Sequence, residues 1–384
     1  MNQRFDELDS LRGLAALAVF FSHIYLVFND NPLTRLLFEF GPLRLTVAGS
    51  EAVTFFFVLS GFVLSLPFCS GKRPAYRHYV VRRVCRIYIP YIAAFLAALG
   101  LRDVFYSGTI NGLSDWFNAN WSNPLGSGAI RDHLLLIGTF TSNLNNVVWS
   151  LVHEMRVSLV FPLLMFLLVR MNALQGIGFG AALSAGSVLY AYLSGANFTG
   201  TEWHATVHYA ALFIVGALLA KYREPLRDKI RSLGPKRTLA LSLVGLLLYV
   251  YARPSYIIHM LFEGFNPYYR MVMDTWLTAA GAAVFIMLGI SSGAFSRFLR
   301  FRIINYIGRI SYSLYLTHLA VLFSCIHLLH PVLPMWAICL IAAAGTFAAS
   351  SLMYHLVEKP AIRLGKALTG QSRQAAVSRR ASVS

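Results

Sequence analysis

The segment LDSLRGLAALAVFFSHIYLVF, residues 8–28, decides how the rest of the chain is read. It is apolar over the length of about 20 residues that crosses a bilayer as helix. Yet it carries Arg12 at its mouth and His23 eleven positions further on. At about 1.5 Å per residue the two lie roughly 16 Å apart along the axis, which sets the imidazole near mid-bilayer. Ionisable side chains at that depth are rare, face polar cavities and mark function. The plainer reading of such a histidine is a hydrogen bond to a neighbouring helix. Asp6, Glu7 and Asp9 spoil a basic leader region, and no small-residue cleavage site follows Tyr25, so the segment is expected to be a retained first helix.

The surrounding composition agrees. Of 384 residues 57% are hydrophobic and only 13% charged, with mean hydropathy +0.59. Soluble domains run near half apolar and a quarter charged, so this is an all-α polytopic membrane protein by composition. Ten spans are expected, at about 12–29, 46–66, 79–99, 147–169, 173–193, 205–220, 237–252, 271–290, 309–328 and 335–357.

The formal charge of +17 would suggest nucleic acid in a soluble chain; here it follows alternate loops. With a cytoplasmic N-terminus, 26 of the 33 Lys and Arg residues fall inside, 6 outside and one, Arg156, within a span. Both termini are therefore expected in the cytoplasm and no nucleic-acid partner is expected. Cys69, Cys85, Cys325 and Cys339 show no metal-ligand spacing, so neither zinc nor a disulfide framework is expected.

The fourth span, NNVVWSLVHEMRVSLVFPLL (145–164), holds Glu154 about seven residues from its outer side. By depth alone, the Glu154 carboxylate and the His23 imidazole can meet, and such a pair orients the ring and raises its basicity. The alternative is that Glu154 only neutralises a cation such as Arg156. His153-Glu154 opens like a zinc motif, but Val157 breaks it. GIGFGA at 176–181 follows no strand and reads as helix packing. A serine-hydrolase elbow is absent.

Arg82, Arg83 and Arg86 occupy one and a half turns where the third span begins. They read either as positive-inside anchors or, with Arg12, as guanidinium groups that hold phosphates bidentately. Ser60 and Gly61 read as a packing notch or a point of substrate approach. Tyr312, Tyr315 and His318 share one face of the ninth span, as cavity lining or interhelical partners. Glu358-Lys359-Pro360 reads as the stop of the last helix. In the long stretch 100–146, Asp103, Asp115, Asp132, His133, Trp116 and Trp121 are either sugar contacts or interface anchors.

Six pieces then stand in one order: FDELDSLRGLAALAVFFSH, FFFVLSGFVLS, Arg83-Val-Cys-Arg86 with IYIPY, WSLVHE, GRISYSLYLTH and VEKP. Together they resemble the membrane-bound acyltransferase 3 family from about residue 4 to 365. The resemblance implies a bacterial inner-membrane enzyme of about ten helices. Such enzymes move an acyl group, commonly acetyl from acetyl-CoA, to a hydroxyl of a surface or exported glycan. On it rest a membrane acyltransferase domain at 1–365 and a disordered cytoplasmic tail at 366–384.

The family's Arg and His match Arg12 and His23, its paired arginines Arg83 and Arg86, and its glutamate Glu154. The expected roles are catalytic for His23 and Glu154 and donor-binding for Arg12, Arg83 and Arg86. Ser60, Trp149, Tyr315 and His318 are candidate substrate contacts. Acyl-CoA is expected as co-substrate, with no permanently bound cofactor. The chain departs from the family at 155–158, MRVS, where aromatic residues are usual. Some relatives add an esterase-like domain outside the membrane; without one, transfer is completed in the membrane part or by a partner. The rivals are a flippase for a lipid-linked sugar, which would show paired broken helices, and an acyltransferase acting on a small secondary metabolite.

Overall fold

The computed structural model describes residues 5–29, 31–71, 74–122, 126–138, 144–196, 200–262, 266–291 and 293–370. Its long helices are α1 (Asp6–Val27), α2 (Gly49–Cys69), α3 (Tyr76–Phe105), α4 (Val148–Leu168), α5 (Ala173–Ser194), α6 (Trp203–Lys221), α7 (Pro235–Leu246), α8 (Pro267–Ser291), α9 (Arg302–Leu329), α10 (Met335–Met353) and α11 (Lys359–Leu368). Among the described residues nine helical segments are long and apolar enough to cross a membrane, or ten counting one bent pair. The one strand-like pairing among them is an isolated bridge, Phe28 to Leu113. The all-α, multi-pass reading of the sequence holds.

The expected seventh span is the bent one. A π-helical turn, Leu247–Tyr251, continues α7, and a second helix, Pro254–Leu261, leaves it at 44°. Pro254 causes the break. Its ring disfavours helical geometry in the preceding residue, and Arg253 has φ −121° and ψ 79°.

The last span also differs from expectation. Glu358-Lys359-Pro360 does not stop it: a π-helical turn, Tyr354–Glu358, carries α10 into α11, and Pro360 follows that turn as the second residue of α11. Lys366 is therefore helical; residues 371–384 of the expected tail lie outside the described residues.

The chain forms two compact units: one from residues 1–72, 112–117 and 149–311, the other from 73–111, 118–148 and 312–384. In the first, α2 packs on α1, α6 and α8, and α5 on α6. Lipid offers helices no hydrophobic incentive to associate, so close backbone approach supplies the attraction. Gly61 and Gly216 permit it: a Cβ on Gly61 would enter the Phe213 backbone, and one on Gly216 the Val58 carbonyl. α1 and α2 run antiparallel, since Gly49 lies against Ser22 while the Phe5 and Phe62 rings meet at 6.5 Å.

In the second unit α3 packs against α11 and the π-turn before it. Trp121 is fully buried there, its Nε1 donating to the Leu144 carbonyl at 3.0 Å and its ring stacked on His327. It is a core residue, neither an interface anchor nor a sugar shelf. His133 is equally buried, 3.0 Å from the Tyr91 hydroxyl, and burial holds its pKa down to about 4.

Candidate active site

The first unit builds the candidate site around α1. The helix is unbroken from Asp6 to Val27, so eleven residues make three turns and Arg12 and His23 leave it on one face. Acidic Asp6, Glu7 and Asp9 favour the helix start, and Asp9 also pairs with Arg12 at 3.1 Å.

At the other end, His23 stacks on Trp116, with ring centroids 5.4 Å apart and planes 25° apart. Trp116 is presented by the short helix Asp115–Ala119. The segment before that helix is tied to the end of α1: the Ser114 amide donates to the Val27 carbonyl at 3.0 Å and its hydroxyl to the Leu26 carbonyl. Trp116 thus brings the stretch 100–146 to the candidate site. The sequence marks Trp116 only by its residue type; its partner is set by the tertiary structure.

On α4 the run His153-Glu154-Met155-Arg156 divides between two neighbours. The Ser60 hydroxyl of α2 donates to Glu154 Oε1 at 3.2 Å. His153 and Arg156 turn instead to α6 and the residues before it. Arg156 donates to the Thr201 carbonyl at 2.7 Å and to the Thr206 hydroxyl at 2.8 Å, with its guanidinium 3.9 Å from the Trp203 ring centre. His153 donates from Nε2 to the Gly200 carbonyl, and its Nδ1 is 2.8 Å from Thr206. Two residues apart, Glu154 and Arg156 leave the helix about 200° apart, so the added charge at 156 serves helix packing. Trp149, one turn earlier, lies half-buried beside His153 and Tyr209.

Helix register corrects the expected meeting of His23 with Glu154 at one level. His23 neighbours Ser22, which meets Gly49 at the start of α2. Ser60, which holds the carboxylate, lies eleven residues further along α2, about 16 Å, toward the Arg12 end of the antiparallel pair. The imidazole and the carboxylate therefore stand at different heights along α1. Arg12, Ser60, Glu154 and His23 are all half-buried.

The second unit holds the remaining candidates. Arg83 and Arg86 share a face of α3 by spacing, yet Arg83 is 9% exposed and Arg86 lies in the open. Tyr315 and His318 are 4% and 0% exposed. The Tyr315 hydroxyl donates to the Val147 carbonyl, and His318 Nδ1 to the Leu314 carbonyl of the preceding turn. Tyr312 likewise donates to the Ile87 carbonyl. These contacts favour the interhelical reading of that face over substrate contact. Among the described residues no cluster of metal-ligating side chains occurs.

The profile of the acyltransferase 3 family, described as an acyltransferase domain, matches residues 5–355. The chain belongs to that family. It is also similar to acyltransferase MdmB of Streptomyces mycarofaciens, at 32% identity over 193 residues. That stretch is 48% of this chain and 45% of the relative, so the likeness spans about half the length of each. No solved structure matches.

Proposed function

We propose that the protein is a multi-pass membrane acyltransferase that moves an acyl group, acetyl in the simplest case, from acyl-CoA to a hydroxyl of an exported or surface glycan. Membership of the acyltransferase 3 family supports the reaction class. The observation that carries the site is Arg12 and His23 on one face of α1, about 16 Å apart. That interval is comparable with an extended pantetheine arm, a phosphate group at one end and a thioester at the other.

In this reading Arg12 is a phosphate ligand at its end of α1, and Arg86 of the second unit is separately read as one, since guanidinium groups bind phosphate in a planar fork. Glu154, fixed by Ser60, accepts hydrogen bonds from the amides of the arm between those ends. His23, its ring fixed by Trp116, takes the proton from the acceptor hydroxyl as that oxygen attacks the thioester carbonyl. The tetrahedral intermediate then expels the CoA thiolate, which takes up the proton from the imidazolium. The N-terminus lies in the cytoplasm, and the membrane is the bacterial inner membrane.

The test is acceptor-dependent release of CoA thiol by the protein in lipid nanodiscs. His23→Ala is expected to lower turnover by about 10²- to 10⁴-fold with the protein still folded, the range general-base catalysis supplies. Unchanged turnover removes His23 from the mechanism. The flippase alternative draws on the bent seventh span, since broken helices line transport sites. Movement of a lipid-linked sugar without CoA release would establish it.

A further inference from the structure

Glu358 is a carboxylate that the reaction above does not use, and its surroundings are unusual. It closes the π-helical turn Tyr354–Glu358 and is 4% exposed. Ser313, itself fully buried, donates a hydrogen bond to it at 2.6 Å. A buried carboxylate persists as an anion only with a counter-charge and with its lone pairs occupied. π-Helical turns are uncommon and are found frequently at functional sites, because the extra residue rotates the following side chains away from their α-helical direction.

The π-turn and α11 both pack on α3. The Lys and Arg residues on these elements are Arg77, Arg82, Arg83, Arg86 and Arg102 of α3 with Lys359, Arg363 and Lys366 of α11, and Arg102, in the last turn of α3, donates to the Trp121 carbonyl at 2.9 Å. Arg77, Arg86, Arg363 and Lys366 are exposed, and Lys359 is half-buried. Arg82 is directed along its own helix, donating to the His78 carbonyl at 3.2 Å. Arg83 alone among them is buried.

We propose that Glu358 is the counter-charge of Arg83, and that the pair is a positioning device for donor binding. Ser313 and Glu358 hold Arg83 inside the second unit, and that fixes the turn of α3 from which Arg86 reaches the donor phosphates. The two arginines then have different duties: Arg86 touches the donor, and Arg83 aims it. This rests on the reading of Arg86 as a phosphate ligand.

The experiment uses the full chain in nanodiscs with acetyl-CoA. Five variants, Glu358→Gln, Glu358→Asp, Arg83→Met, the double variant Glu358→Gln with Arg83→Met, and Arg86→Ala, are compared by melting temperature and by KM against kcat. If the pair exists, the two single variants each lower the melting temperature, and the double variant is no less stable than either, since groups in direct contact are not additive. If it positions the donor site, Glu358→Gln raises the KM for acetyl-CoA about tenfold with little change in kcat, and Glu358→Asp recovers part of it; a fold-only role leaves KM alone in the protein that remains folded.

Additive melting shifts overturn the pairing. An unchanged KM in folded Glu358→Gln overturns the positioning role. A normal KM in Arg86→Ala with coupled melting shifts overturns the donor reading while leaving the pair intact. Should Glu358→Gln fail to accumulate, Ser313→Ala is the milder substitute for the KM measurement. Accumulation of the double variant then supports the pairing, and its absence overturns it.

Discussion

Ser60 donates a hydrogen bond to the carboxylate of Glu154 at 3.2 Å, joining α2 to α4 one residue before Gly61 lets α2 close on α6. The acid is thereby fixed from a different helix than the one carrying His23. Hydrogen bonds to charged groups contribute about 1.5–3 kcal/mol, roughly 10- to 100-fold in a rate or binding constant. Ser60→Ala should lower kcat/KM for acetyl-CoA toward the small end of that range and Glu154→Gln toward the large end. Steady-state kinetics on the two variants checks this, and equal, negligible effects would leave Glu154 a packing residue.

Trp116 is the ring against His23, and a stacked aromatic pair contributes about 0.5–1.5 kcal/mol beyond its buried area. Trp116→Ala should therefore reduce kcat by up to about tenfold while the KM for acetyl-CoA stays near wild type. Trp116→Phe should restore most of the rate. A variant that lost donor affinity instead would show that Trp116 belongs to the donor site.

Gly216 has no room for a side chain, because its added Cβ would enter the Val58 carbonyl and approach the Phe62 amide to 2.6 Å. Overpacking of this kind costs about 1–3 kcal/mol or more when backbone must move. Gly216→Leu should lower the melting temperature in nanodiscs sharply, and Gly178→Ala, where the added Cβ meets open space, should not.

His133 lies outside the membrane-spanning helices, and burial holds its pKa near 4 against an ordinary 6.5, the neighbouring Asp132 opposing that shift. Between those values the unfolded chain binds a proton that the folded protein refuses. Its contribution to stability is full above about pH 6.5 and is lost as pH falls toward 4. Melting temperature measured from pH 7 to pH 4.5 should fall less for His133→Phe than for the wild type. Parallel curves would mean that His133 does not titrate over this range.

Local reading went far where local geometry rules. Helix period and hydropathy placed every long span, because a 20-residue apolar run has one stable arrangement in lipid. Gly61 could be read as a notch for the same reason. The reading stopped at partners. Trp121 looked like an interface anchor because tryptophan often is one, and its burial depends on Leu144 and His327, far away in sequence. Glu358 looked like a helix stop because Pro360 follows it; a π-turn, which no apolar period announces, kept the chain helical and turned the acid inward.

The sequence by itself determined that this is an all-α membrane chain of the acyltransferase kind, and that Arg12 and His23 share a helix face. The membrane class follows from the long apolar runs, the acyltransferase kind from the resemblance that the ordered motifs carry, and the shared face from spacing along one continuous helix. Tertiary structure alone decided that Glu154 is held by Ser60 rather than at the level of His23, and that Arg83 is buried while Arg86 is not. The first depends on the register between helices, set by close approaches such as Gly49 on Ser22 and Gly216 on Val58, and the second on the packing of α3 against α11, where Gly365 lies against Arg82 and Cys85, all contacts between residues that no local periodicity connects.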